Sequence, residues 1–171
     1  MAFLTLPVNI LLMPGELTGT IKALLDEYKK AINELIAVIK PLGTKELLSI
    51  RDEKTTDGNC RSVQTILTHV AYAGYGYTNF IDNHLGSKKE RRPKKFFENT
   101  HEYIEDLNGM FDYCANFFME HLNIPLEEYD PSKKILTNWG QVYDIDQLME
   151  HAIVHVLKHR RQIQRFLSPQ T

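Results

Sequence analysis

The sequence predicts an all-α protein, a four-helix bundle with long inter-helix connections. Three observations predict it. Four stretches carry apolar residues at alternating steps of three and four, the spacing of one helix face. Segments rich in Gly, Pro, Asp and Asn separate them, and no stretch alternates at period two for long enough to make a strand. The length, 171 residues, fits one domain (residues 1–171) and is enough to bury a core without disulfide staples.

The first stretch starts at Pro14-Gly15-Glu16, with Pro and an acid suited to a first turn, and repeats Leu17, Ile21, Leu24, Tyr28, Ile32, Leu35 and Ile39 before Pro41-Leu42-Gly43 ends it. Ahead of it, residues 1–13 are apolar. They lack a positive leader region and a small-residue cleavage site, and Pro7 interrupts them, so they read as an extended arm packing on the core or on a partner subunit. Residues 44–60 read as a crossing loop, with one helical turn at Leu47-Leu48 and a polar turn around Asp57-Gly58.

The second helix is expected over Arg61 to Leu85, with Val63, Ile66, Val70, Ala73, Tyr77, Phe80 and Ile81 on one face and His69 on the same side. Gly74 and Gly76 fall among Tyr72, Tyr75 and Tyr77, which reads first as close helix packing and second as space for a ligand. The basic run of residues 86–95, bracketed by Gly86 and Pro93 and without interleaved aromatics, reads as a solvated loop. Contact with DNA through Lys88 to Lys95 is the less favoured alternative.

The third helix is expected from Phe96 to Asn123, with Ile104, Leu107, Phe111, Cys114 and Phe118 along its seam. Cys114 then reads as a buried, unreactive thiol, and His101 and His121 as surface or capping residues. Residues 124–143, with Pro125, Pro131, Trp139 and Gly140, form an excursion over one end of the helices. The last helix, Asp144 to Leu167, has no Gly or Pro and covers about six turns.

Composition narrows the function. A net charge of −2 argues against a general nucleic-acid-binding surface. Cys60 and Cys114 are far apart and form no C-x-x-C, which fits a reduced, cytoplasmic setting better than a disulfide framework. No run approaches the length of a transmembrane helix, so no membrane partner is expected.

The chemistry lies in the last helix. Its seam runs Leu148, Ala152, His155, His159, Gln162 and Phe166, with two histidines where aliphatic residues are expected. At 100° per residue His155 and His159 are about 40° apart on the inward stripe, while His151 lies on its polar flank. An i, i+4 histidine pair can bind one metal ion, and a site needs a further ligand from another helix. His69 is the best candidate, with His84 a weaker one near its helix end. Unsatisfied buried imidazoles cost roughly 1–3 kcal/mol each, while a structural zinc returns on the order of 10 kcal/mol. The balance favours a metal. Three histidines leave one coordination position open for water, a thiolate or a substrate oxygen, and histidine ligation favours zinc, with nickel, iron and copper as alternatives.

Two segments carry a resemblance. His155 to Gln164, H-V-L-K-H-R-R-Q-I-Q, resembles the last-helix motif of the DinB/YfiT-like metalloenzyme superfamily, and Ser62 to His69, S-V-Q-T-I-L-T-H, resembles its second-helix motif. Arg61 stands where many relatives have Trp. The resemblance implies a DinB-like four-helix bundle, a homodimer, and metal ligands at His69, His155 and His159. It also implies a thiol S-transferase or thiol-dependent activity on a small-molecule substrate, with a low-molecular-weight thiol, in detoxification or stress response. A metal-dependent hydrolase and a non-catalytic metal- or small-molecule-binding stress protein are the alternatives. Gln162 is placed to orient a ligand, and His151, Tyr72 and Tyr75 are candidates for the pocket wall.

Overall fold

The computed structural model describes Leu17 and residues 19–168. The expected arm of residues 1–13 and the helix start at Pro14-Gly15-Glu16 lie outside the described residues. The protein is all-α: α1 (Gly19–Ile39), α2 (Thr44–Leu48), α3 (Val63–His84), α4 (Thr100–Glu120) and α5 (Ile145–Leu167). Four of the five are long. Among the described residues the only strands are β1 (Ile135–Leu136) and β2 (Val142–Tyr143), an antiparallel pair with Ile135 opposite Tyr143. It lies inside the excursion of residues 124–143, too short for an alternation to register in sequence.

Side-chain caps set the helix starts. Ser62 opens α3 by accepting from the Thr65 amide, and Asp144 opens α5 by accepting from the Gln147 amide. Asn99 caps α4 by accepting from Glu102, so that helix begins at Thr100 rather than at Phe96 as the periodicity suggested. His121 closes it, its Nδ1 2.7 Å from the Phe117 carbonyl, in the capping role expected of it.

The principal packing contacts of the long helices run α1 on α5 and α4, and α3 on α4 and α5. Ile32, Leu35 and Ile39 of α1 meet Leu107 and Phe118 of α4 and Leu148 and Val156 of α5 in one core, which α3 completes with Ile66, Leu67, Val70 and Ile81. Cys114 is 2% exposed, and burial pushes its thiol up to about 12, which bears out an unreactive core residue. Gly74 is also buried. A Cβ there would meet Met110 Sδ at 2.0 Å and the Tyr28 hydroxyl at 2.8 Å, so this glycine lets α3 approach the other helices, as the packing reading expected. Among the described residues no helix is long and apolar enough to cross a membrane.

The segment joining α3 to α4 is a loop with Lys88, Lys89, Lys94 and Lys95 exposed, as the solvated reading expected, while Arg91 and Arg92 are half-buried. It runs back along α3 as a strap, and polar side chains of α3 take up its backbone carbonyls. Asn83 donates to Lys89, Asn79 to Glu90, Thr68 to Lys95 and Gln64 to Phe97, all at 2.9–3.0 Å. The Tyr103 hydroxyl locks the far end, 2.6 Å from Thr68 Oγ1 and accepting from the Phe97 amide at 3.2 Å. Each such bond contributes about 0.5–1.5 kcal/mol net, and together they tie the segment to the helix. The strap carries Arg91 and Arg92 inward. Arg92 makes a two-pronged pair with Asp106, at 2.6 and 2.7 Å.

Candidate metal centre

The packing of α3 against α5 brings His69 to the inward histidine pair. His69 Nε2 and His155 Nε2 are 3.0 Å apart, and the His159 ring centroid is 5.2 Å from that of His69 and 4.5 Å from that of His155. One ligand nitrogen from each ring lies within 4.8 Å of the other two, close enough to hold a metal ion. Around a tetrahedral ion with bonds of about 2.0–2.1 Å the nitrogens stand roughly 3.4 Å apart, so adjustments of about an ångström close the set. His84, the weaker candidate, lines a different cavity.

The electrostatics favour neutral rings. Burial, reinforced by the neighbouring His159, lowers His69 to about 4. Burial and the two neighbouring imidazoles lower His155 to about 2. His159 is lowered as well, chiefly by burial, with the hydrogen bond to Gln162 opposing. Neutral imidazoles present lone pairs at pH 7, which a cation requires and which protonation would take up.

The same shifts predict a pH dependence for the metal-free protein. The folded values lie below the ordinary histidine value of about 6.5, so between the two the unfolded chain binds more protons. This contribution to stability is complete above about pH 6.5 and is lost as pH falls toward the folded values. Denaturant unfolding of the metal-free chain is therefore expected to show stability falling between pH 7 and pH 5, a window in which most carboxylates stay ionised. A flat profile there would contradict neutral buried rings.

Gln162 stands beside His159 rather than on the cavity wall. Its Oε1 is 3.0 Å from His159 Nδ1, placed to accept a ring proton there, the tautomer that leaves the Nε2 lone pair for a metal. Gln162→Leu is expected to weaken metal affinity about 10–100-fold in competition with a chromophoric chelator, the usual cost of removing such a support. An unchanged affinity would show that the tautomer is set elsewhere.

The histidines form one wall of a cavity of about 430 Å³. Tyr72 lines it, as expected. His151 does too, stacked on Trp139 at 5.6 Å with Nδ1 3.3 Å from the Tyr143 hydroxyl. Tyr75 does not. It packs toward α4, 5.4 Å from the Tyr113 ring and 3.9 Å from the Arg92 guanidinium. Its helical phase is about 120° from that of His69, which separates the two faces. Tyr77 takes its place, edge-on to His155 at 5.7 Å and to His151 at 5.4 Å.

Sequence reasoning missed Asp57, Cys60, Arg91 and Trp139, all on the cavity wall. Asp57 accepts from the Asn59 amide at 2.9 Å and from the Cys60 thiol at 3.4 Å, and the Asn59 bond first holds its carboxyl below the usual range. Burial raises the Cys60 thiol. A cysteine in a polar turn two residues before the cap of the His69 helix, and a single tryptophan in a connection, were the available signals.

The fold and site together define an all-α protein with a three-histidine cluster able to hold a metal ion. No family model, curated protein or solved structure matches the chain.

Proposed function

We propose that the protein is a metal-dependent enzyme of the DinB/YfiT-like type, a four-helix bundle holding zinc on His69, His155 and His159 and transferring a thiol to a small electrophile. The observation that carries this reading is the convergence of three imidazole nitrogens from two helices on one wall of an open cavity. His69, His155 and His159 would hold a divalent metal, which would supply a thiol or water of lowered pKa, a nucleophile near neutral pH. The chain's own residues do the rest. The three rings stay neutral through burial and keep their lone pairs available, and Gln162 holds the His159 proton at Nδ1. Tyr77 and Trp139 cover one side and reduce water around the reacting groups. Asp57, ionised, accepts a hydrogen bond from a ligand O–H or N–H.

The test is to saturate the protein with zinc and assay conjugation of cellular thiols to a model electrophile. Turnover that needs the metal and disappears in His155→Ala is expected. Hydrolysis without any thiol dependence would make it a hydrolase. One observation favours a non-catalytic metal- or small-molecule-binding stress protein as a second reading: Asp57, the carboxylate on the cavity wall, is held below the usual range and is a weak base. Stoichiometric zinc without turnover would support that reading. The homodimer belongs to the same proposal, and sedimentation equilibrium tests it.

A further inference from the structure

Two consecutive arginines on the strap have opposite fates. Arg92 is matched by Asp106 through both guanidinium nitrogens. Arg91 is also half-buried, yet among the described residues no carboxylate pairs with it. Its guanidinium instead lies 4.6 Å from the Tyr72 ring and 5.5 Å from the Phe80 ring, with Nη1 3.4 Å from the Tyr72 hydroxyl. Aromatic faces and a hydroxyl orient a cation without neutralising it.

The seat for this side chain is built into α3. A Cβ on Gly76 would stand 2.3 Å from Arg91 Nη2 and 2.9 Å from Nε, so the guanidinium rests against the helix backbone where only glycine leaves room. The strap's bond from Asn79 to the Glu90 carbonyl, at 3.0 Å, fixes the adjacent backbone. From this seat Arg91 lines the same cavity as the three histidines. Lys158 lines it too and, among the described residues, also has no acidic partner, while Asp57 is the one carboxylate on the wall. The cavity therefore carries an excess of positive charge, and the Trp139 ring stands in its wall between Asn138 and Gln141.

We infer that Arg91 is the ligand-anchoring residue of this cavity and that the small molecule it takes is an organic anion, with a carboxylate or phosphate held by the guanidinium and an apolar body against Trp139. The inference deepens the proposed function by naming a substrate class, and it rests on that reading only in taking the cavity as the place where the substrate binds. A held guanidinium recognises a planar carboxylate or a phosphate by paired hydrogen bonds, while a neutral analogue leaves the cation unmatched.

Trp139 is the chain's single tryptophan, so its emission reports on the cavity directly. Benzoate, phenyl phosphate and neutral benzamide are titrated against EDTA-treated and zinc-loaded protein, each as wild type, Arg91→Met and Arg91→Gln. In both metal states at least one anion is expected to bind better than benzamide. That preference is expected to fall at least about tenfold in either neutral variant, as loss of a charged hydrogen-bonded pair requires. Whichever of benzoate and phenyl phosphate binds tighter identifies the anionic group. Equal binding of benzamide, absence of anion binding, or an unchanged anion affinity in a folded neutral variant would overturn the inference. Anion binding that needs zinc and ignores Arg91 would also overturn it, by placing the anion on the metal and leaving the metal reading intact. Arg91-dependent binding by a protein that takes up no zinc would do the reverse, sustaining the inference while the metal reading fails.

Discussion

His155→Ala is expected to strip the protein of its metal. The wild-type chain should carry about one zinc after loading and gel filtration, and the variant close to none. A zinc site returns on the order of 10 kcal/mol across its ligands, so each histidine accounts for roughly 3 kcal/mol, a loss on the order of a hundredfold in affinity. His155 is the member least able to be replaced, because its Nε2 is 3.0 Å from that of His69 and its ring touches that of His159. The control is His151→Ala. His151 is on the same helix, but its centroid is 6.3 Å from that of His155 and its Nδ1 is engaged by Tyr143, so its loss should leave metal content unchanged. Equal metal content in wild type and His155→Ala, by elemental analysis, would remove the site assignment. Loss of metal in His151→Ala alone would move it.

Gly74→Ala is expected to destabilise the fold, although alanine is the better helix former. Propensity favours the substitution by about 0.8–1.0 kcal/mol. Against that, the new methyl would overlap Met110 Sδ and Cγ, at 2.0 and 2.7 Å, and the Tyr28 hydroxyl at 2.8 Å. Met110 is fully buried and Tyr28 nearly so, which leaves neither side chain room to retreat. Overpacking of this kind costs about 1–3 kcal/mol, and contacts so short place it in the upper part of that range. The net loss is about 1–2 kcal/mol, which lowers the thermal midpoint by roughly 2–8 °C. A raised midpoint in calorimetry would show that α3 shifts freely on its neighbours. Gly76 is the contrast, since a methyl there meets the Arg91 guanidinium at the cavity rather than the packed core.

Much of the fold was legible because amphipathic spacing is a local property. The steps of three and four in α1, α3, α4 and α5 are written in consecutive residues, and each of those stretches is a helix. Polar caps set the ends more sharply than the periodicity did, as Asn99 shows by starting α4 four residues later than expected. The strap was legible as an exposed loop but not in its course along α3. Its course depends on Asn79, Asn83, Thr68 and Gln64 of α3, which donate to its carbonyls. Hydrogen bonds between segments far apart in sequence leave no period.

By itself the sequence determined four helical faces, the inward phase of His155 and His159, the flanking phase of His151 and the candidacy of His69. All of these follow from helical geometry within single segments. Only the tertiary structure decided that His69 and His155 meet at 3.0 Å, that Tyr77 rather than Tyr75 faces the histidines, and that Arg91 turns into their cavity while Arg92 is spent on Asp106. The reason is that a cavity is made by what packing leaves between helices. Its walls come from a turn, two helices, a strap and a hairpin that touch only after the chain has folded.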